Sequence, residues 1–487
     1  MVIADLLFLD EVTSMSQSRI ADLTRRSLLS AAAGLTCAAL LPRRVLANPD
    51  FKLIPKPAKV RLVGKPHPDT AVWAYNDLTP GPPIRVQQGA QLSIPVENQL
   101  AEETTVHFHG IRLPNAMDGV PHLTQTPIAP GGEFVYEFNV PDAGTYWYHP
   151  HQNSAEQVGR GLCGALIVEE QDPIRVDRDV AWLLQDWRLQ ADAQISDDFR
   201  NMHDMAHNGR VGNTVTINGS VRETFAVRSG ERMRLRLING ANARVFGLNF
   251  AGHRPKVIAL DGQPVEPHEP SDGRVVLAPG MRMDLILDMA AKPGERFQVV
   301  DSFYRGLTYR LIDLVYADTP YRNLVHDTPI ALPRNTLPEP KLPGAQRHEV
   351  TFNGGMMGQM MMGDRGMAGM NMRDMMHSGK IWFINGVAML GHVMDPMLTL
   401  TRGRSYVLAM VNETAWWHPM HLHGHAFRVI SRNSAPTRYR EWQDTVLMAP
   451  RETVEIAFVA DNPGDWMFHC HILEHQESGM MGVIKVV

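Results

Sequence analysis

The sequence predicts an all-β protein made of three consecutive Greek-key β-sandwich domains. Three observations carry this expectation: one phrase occurs three times, each copy alternates apolar and polar residues, and turn residues punctuate the copies. IRVQQGAQLSIPVENQ (84–99), FAVRSGERMRLRLING (225–240) and LTLTRGRSYVLAMVNE (398–413) each read as strand, turn, strand and then asparagine. The interval is nine residues every time, from Gly89 to Asn98, Gly230 to Asn239 and Gly403 to Asn412. A second phrase follows each copy: APGGEFVYEFNVPDAGTYWYHPH (129–151), APGMRMDLILDMAAKPGERFQVVD (278–301) and APRETVEIAFVADNPGDWMFHCH (449–471). Alternation with a period of two, broken by Gly, Pro and Asn, describes strands and turns rather than helices. A repeat of well over a hundred residues suits a whole sandwich.

At 487 residues the chain is too long for one core. The repeats place domains at 48–172, 173–327 and 346–487, with the proline-rich TPIALPRNTLPEPKLPGA (328–345) as a linker. Ahead of them, TRRSLLSAAAGLTCAALL (24–41) sets Arg25 and Arg26 before an apolar run, and VLA (45–47) offers a small-residue cleavage pattern. Residues 1–47 therefore read as a twin-arginine signal peptide, which implies export by the Tat route to the periplasm. The run is too short and too rich in Ala and Gly to span a membrane, so no stable membrane insertion is expected. A net charge of −5 gives no basic field for a nucleic-acid partner. Of the three cysteines, Cys37 leaves with the signal, Cys163 reads as a lone buried small residue, and Cys470 has a different setting.

That setting is HCHILEHQESGM (469–480). His-x-His pairs recur at His107/His109 in TTVHFHG, His149/His151 in WYHPH, His421/His423 in HPMHLHGH and His469/His471 around Cys470. In a strand, residues i and i+2 share a face and i+1 takes the other. Each pair thus presents two imidazoles to one side, and four pairs supply too many ligands for one metal ion but suit three. The middle copy ends FQVVD (297–301), without histidine, so the cluster is expected where the first and third domains meet. By the same alternation Cys470 faces away from the cluster. It is then free to bind a separate copper with His475, Met480 and His418. A thiolate, two imidazoles and a weak thioether describe a blue-copper electron-transfer site. The backbone joining Cys470 to its neighbours would connect the two centres.

These motifs closely resemble those of the multicopper oxidases, the three-domain, laccase-like family, and especially the bacterial periplasmic cuprous oxidases of copper tolerance. The resemblance covers nearly the whole mature chain and implies cupredoxin-like sandwiches. It implies four copper ions: type 1 at His418, Cys470, His475 and Met480; type 2 at His107 and His421; and a type 3 pair at His109, His149, His151, His423, His469 and His471. It implies an oxidase coupling four one-electron oxidations at type 1 copper to reduction of O2 to water at the trinuclear cluster. Asp118 in NAMDGVPHLTQTPI (115–128) matches the family's acid near that cluster, where a carboxylate relays protons. Close relatives carry an acid directly after the last type 1 histidine; here that residue is Gln476, between Glu474 and Glu477. His122, His392 and His425 are read as structural.

The expected donor is Cu(I). MMGQMMMGDRGMAGMNMRDMMH (356–377) holds ten Met in 22 residues, and neutral thioethers bind soft Cu(I) without deprotonation. Its placement resembles the methionine-rich insert of the cuprous oxidases, and we take 356–376 as that insert. Met356, Met357, Met360, Met361, Met362 and Asp364 are the candidate substrate-copper ligands, and MHDMAH (202–207) is a second, weaker cluster. The alternative donor is a phenol or other small organic molecule. Where the cuprous oxidases carry an acid and a methionine ahead of the first type 1 histidine, this chain has Thr414 and Trp416, and Trp416 with Trp417 suggests an apolar wall. A monomer is expected.

Overall fold

A computed structural model of the protein describes residues 51–323, 328–357, 378–390 and 395–487. The signal-like segment, Met360, Met361, Met362, Asp364 and His392 lie outside the described residues.

Each copy of the repeat has the same pairing. The first strand of the phrase runs parallel to the last strand of its domain: Ile84–Gln87 with Gly164–Glu169, Thr224–Val227 with Tyr309–Tyr316, and Pro396–Leu400 with Met481–Val486. The second strand runs antiparallel to the first strand of the second phrase: Gln91–Glu97 with Glu133–Asn139, Arg232–Asn239 with Arg282–Asp288, and Ser405–Asn412 with Thr453–Val459. The phrase's last strand then pairs with the domain's closing strand, as Gly144–His149, Arg296–Asp301 and Gly464–Cys470. Among the described residues no sheet mixes strands from different copies. The first copy gives a four-stranded sheet and two two-stranded sheets, the second gives sheets of six and five strands, and the third gives sheets of seven and five.

The repeated asparagine closes the turn. Asn98, Asn239 and Asn412 are completely buried. Each accepts at Oδ1 the N–H two residues on, from Leu100, Ala241 and Thr414 at 3.0 Å. Each Nδ2 donates to two carbonyls at 2.8 Å, one in its own turn and one at the head of the second phrase, namely Ile128, Leu277 and Ala449. One buried amide thus satisfies three backbone groups and ties the two phrases together. The glycine nine residues earlier sits at positive φ in every copy (84°, 79° and 79°), the tight turn that a Cβ disfavours.

A single apolar cluster runs from Leu53 to Val168 and on through Val350 to Val486, so the first and third sandwiches share one core; the middle sandwich has its own. Cys163 is free and buried against Trp147, Leu183 and Ile238, as the sequence suggested. No helix among the described residues is long and apolar enough to cross a membrane.

Candidate metal centre

Two ribbons bring the histidines together. In the first sandwich, His107–His109 pairs with Gly144–His149, placing His107 opposite His149 and His109 opposite Trp147. In the third, His418–Leu422 pairs with Gly464–Cys470, placing His421 opposite His469 and Met420 opposite Cys470. Residues opposite each other share a face. His421 and His469 therefore face the cluster, and Cys470 turns to the side that also holds His418. His471, just past the strand end, returns to the cluster side, its ring centroid 5.6 Å from that of His469.

The ribbons meet ring to ring. His107 stacks on His423 (4.1 Å between centroids) and His109 on His421 (3.8 Å). His423 Nε2 lies 3.1 Å from His469 Nε2. All eight imidazoles are buried. For six of them a second nitrogen is held by an oxygen: His107 Nδ1 by the Asp118 carbonyl at 2.7 Å, His421 Nδ1 by the Asp444 carbonyl at 2.8 Å, and His149 and His469 Nδ1 by the Pro150 and Cys470 carbonyls at 3.0 and 2.9 Å. The carboxylates of Asp118 and Asp444 take His423 Nδ1 (2.8 Å) and His109 Nε2 (3.1 Å). Fixing one ring nitrogen sets the tautomer and aims the other.

Seven ring nitrogens of the cluster have no partner. His107 Nε2, His109 Nδ1, His149 Nε2, His151 Nε2, His421 Nε2 and both nitrogens of His471 are buried without a hydrogen bond. Burial, with the neighbouring histidines adding to it, holds His109, His149, His151, His423, His469 and His471 well below the ordinary imidazole range. They are neutral, with ring nitrogens converging on one buried space. Orphaned buried nitrogens are costly, and metal ions satisfy them. Ligand atoms of His107/His421/His423, His107/His109/His149 and His151/His423/His469 lie within 4.8 Å of one another in each set.

The second centre is a triangle. His418 Nδ1, His475 Nδ1 and Cys470 Sγ are separated by 3.2, 3.5 and 3.7 Å. A point equidistant from all three lies about 2 Å from each, a metal–imidazole bond length. The outer nitrogens are again tied, His418 Nε2 to Thr414 Oγ1 at 2.8 Å and His475 Nε2 to the His207 carbonyl at 2.7 Å. Trp382 packs on both rings, at 5.0 and 4.2 Å. Met480 is fully buried, its carbonyl accepting from Cys470 N at 3.0 Å. Burial pushes the Cys470 thiol up and the His475 imidazole down to about 3, so the thiol stays protonated until a metal displaces the proton. Both donor sets fit copper: imidazoles alone in one, and thiolate with imidazoles in the other.

The middle sandwich has no histidine here but supplies a buried support that sequence reading missed. Arg282 donates a fork to Asp444, at 2.8 and 2.5 Å, and reaches the carbonyls of Gly280 (3.0 Å) and Thr145 (3.1 Å). Asp261 accepts Arg282 N (2.9 Å) and the amides of Asp444 and Thr445 (3.2 and 3.1 Å). Burial and the neighbouring Asp444 raise Asp261 to about 7; burial would raise Asp444 too, but Arg282 holds it below the usual carboxylate range. Gly280 approaches the cluster so closely that a Cβ there would lie 2.7 Å from the His471 ring. A buried Arg on an apolar strand, two residues after the second APG, was the available signal.

Other predicted residues fall as follows. Asp118 caps a short 3-10 turn, Asn115–Met117, with its side chain between His107 and His423. Gln476 Nε2 lies 3.5 Å from His151 Nδ1, and beside it a cavity of about 340 Å³ is lined by His151, Gln476, Glu477, His122, Arg200 and others. Burial raises Glu474 to about 7. His425 is buried, donating to the His423 carbonyl at 3.2 Å. Met356 is half-buried and Met357 is 44% exposed.

Family models for multicopper oxidases match residues 58–173, 178–317 and 364–487. This chain belongs to the multicopper oxidase family. It is 30% identical over 466 residues to the multicopper oxidase MmcO of Mycobacterium tuberculosis, covering 88% of this chain and 85% of that protein. It is 24% identical to a copper resistance protein A homolog of Pseudomonas syringae pv. tomato, covering 91% and 93%. The multicopper oxidase structure from Pseudomonas thermotolerans superposes with a TM-score of 0.79 at 34% identity, covering 91% of this chain and all of that one. As a multicopper oxidase the protein is an oxidoreductase that uses copper and O2, and its sandwiches are of the cupredoxin-like kind.

Proposed function

We propose that this multicopper oxidase takes electrons from Cu(I), contributes to copper tolerance, and works in the periplasm after Tat export. In this reading His418, Cys470, His475 and Met480 hold type 1 copper, His107 and His421 type 2, and His109, His149, His151, His423, His469 and His471 the type 3 pair. Bound copper supplies one-electron redox chemistry, so that four Cu(I) each lose one electron while one O2 takes four electrons and four protons to give two waters. The chain's part is to position and insulate. Cys470 shares a backbone with His469 and His471, which gives a short covalent path between the centres. Asp118 Oδ2 accepts from His423 Nδ1 at 2.8 Å, which supports a part in passing protons inward. The domains divide at 48–172, 173–327 and 346–487.

One observation carries the choice of donor. The methionine-rich stretch begins on the cover of the Cys470 site: Met356 N donates to the Ala206 carbonyl at 2.8 Å, and Trp416 Nε1 donates to the Met356 carbonyl at 2.9 Å. Ala206 adjoins His207, whose carbonyl holds His475. The stretch that offers soft ligands thus begins, at Met356, beside the segment whose carbonyl holds His475. Oxygen uptake with Cu(I) as donor should show a KM that rises when 356–376 is deleted; an unchanged KM would overturn the assignment. Replacing Arg25 and Arg26 by Lys should keep the protein out of the periplasmic fraction. Phenol oxidation is the second reading, favoured by Trp417, which is 37% exposed with Phe303 beside it at 5.4 Å. Phenol turnover at full rate without added copper would support it.

A further inference from the structure

The middle copy of the repeat brings no histidine to the cluster, yet the turn after its repeated asparagine reaches both neighbouring sandwiches. Three residues past that asparagine the first and third copies carry Ala101 and Ala415, whereas the middle copy carries Asn242. Asn242 is buried. Its carbonyl accepts Leu473 N at 3.2 Å, and Leu473 opens the short helix Leu473–Glu477 that carries His475. The first N–H groups of a helix have no partner within it, so an outside carbonyl is what Leu473 needs. Asn242 Nδ2 donates twice, to Glu474 Oε1 at 3.0 Å and to the Ala155 carbonyl at 2.6 Å. Glu474 directly precedes His475, and Ala155 lies on the helix Ser154–Gly159, four residues after His151. The Ala155 amide in turn donates to Glu477 Oε1 at 2.9 Å. Apolar packing between the two helices is thin, a buried cluster of Ala155, Val158 and Leu473.

We infer that Asn242 is a positioning residue for His475, anchoring the helix that carries this ligand to the first sandwich. The inference rests on His475 being a type 1 ligand and adds what fixes its place. The ring itself is held at Nε2 by the His207 carbonyl and is packed by Trp382 at 4.2 Å. Those contacts set the rotation of the ring, but the backbone beneath it needs its own hold. A helix of five residues has almost no stability of its own, so its position comes from outside bonds. Asn242 makes two of them, at Leu473 N and Glu474 Oε1, and ties down Ala155, the partner in a third. The residue touches no ligand atom. It acts by keeping His475 Nδ1 within 3.7 Å of Cys470 Sγ and 3.2 Å of His418 Nδ1. Outer partners of this kind change metal affinity by about 10- to 100-fold when they are lost.

The test compares copper-loaded, full-length wild type with three variants. Asn242→Asp keeps the shape but turns an oxygen toward two acceptors. Asn242→Ala removes both side-chain bonds and keeps the main-chain bond to Leu473, so it carries the test if the charged variant does not fold. Asn242→Asp/Glu474→Gln restores the link to the helix with donor and acceptor exchanged. Blue absorption is followed during titration with EDTA, the type 1 hyperfine splitting is read by electron paramagnetic resonance, and urea unfolding of the copper-free protein reports stability. Each single variant should lose its blue absorption at about 10-fold less EDTA or lower, with an altered hyperfine splitting. The double variant should regain most of that difference. A wild-type EDTA midpoint and splitting in the single variants, even with lowered urea stability, would overturn the inference and leave Asn242 a purely structural residue. A loss that the double variant does not reverse would overturn it too. A wild type without blue absorption would sink the type 1 assignment and this inference with it, whereas a blue wild type with unaltered variants sinks only the inference.

Discussion

Arg282 connects the middle sandwich to the histidine cluster, and its removal tests that connection. The guanidinium is fully buried and makes four hydrogen bonds, two to Asp444 and one each to the carbonyls of Gly280 and Thr145. Arg282→Met would leave Asp444 and Asp261 as buried carboxyls without a countercharge and would strand two carbonyls. Breaking one side of such a pair costs about 3–5 kcal/mol, or about 150- to 5,000-fold in the folding equilibrium. The copper content should fall as well, because Asp444 Oδ1 holds His109 Nε2 at 3.1 Å and its carbonyl holds His421. Arg282→Lys keeps the charge but loses the fork, so it should lie between. Urea unfolding of the copper-free protein measures the first effect, and copper per chain after dialysis measures the second. A loss below about 1 kcal/mol with wild-type copper content would refute the idea that the middle domain braces the cluster.

Three further outcomes follow from the same geometry. Cys470→Ser should abolish intense blue absorption and donor oxidation while retaining copper at the histidine cluster; persistence of the blue colour would remove Cys470 from the type 1 site. Asn239→Ala should lower stability by about 1–3 kcal/mol, since the Ala241 amide and two carbonyls lose their partner, and an unchanged urea midpoint would count against the asparagine as the turn's anchor. Glu170, buried and hydrogen-bonded to Arg234 at 2.8 and 3.0 Å, is raised by burial but more strongly lowered by that guanidinium and Arg236, to a net value below the usual range. A depressed carboxylate stabilises the fold above the unfolded value near about 4.3 and loses that contribution as pH falls through the folded one. Glu170→Gln should therefore flatten the acid limb of the copper-free stability curve, and parallel limbs for the two proteins would exclude the Arg234 pair as its source.

The fold was legible because the copies repeat: the Gly–Asn interval and the APG-type head mark equivalent strands, and each Asn makes the same bonds. The split between Cys470 and its flanking histidines was legible because alternation along a strand is local geometry. What stayed hidden depends on tertiary approach. RMRLRL in Arg232–Asn239 alternates like a half-exposed strand, yet Arg234 and Arg236 are buried against Glu170, Asp284, Asp179 and Thr145. No local pattern shows that a neighbouring sandwich covers the polar face. The same holds for Arg282, Asp261 and Asp444, and for the backbone carbonyl of His207, which orients His475 without any side-chain signature.

The most direct test of the central claim is oxygen consumption by the copper-loaded protein supplied with Cu(I). One O2 should disappear for every four Cu(I) oxidised, with no peroxide released. A ratio of one to two with peroxide, or no uptake at all, would contradict an assignment in which one thiolate centre feeds a three-copper histidine cluster.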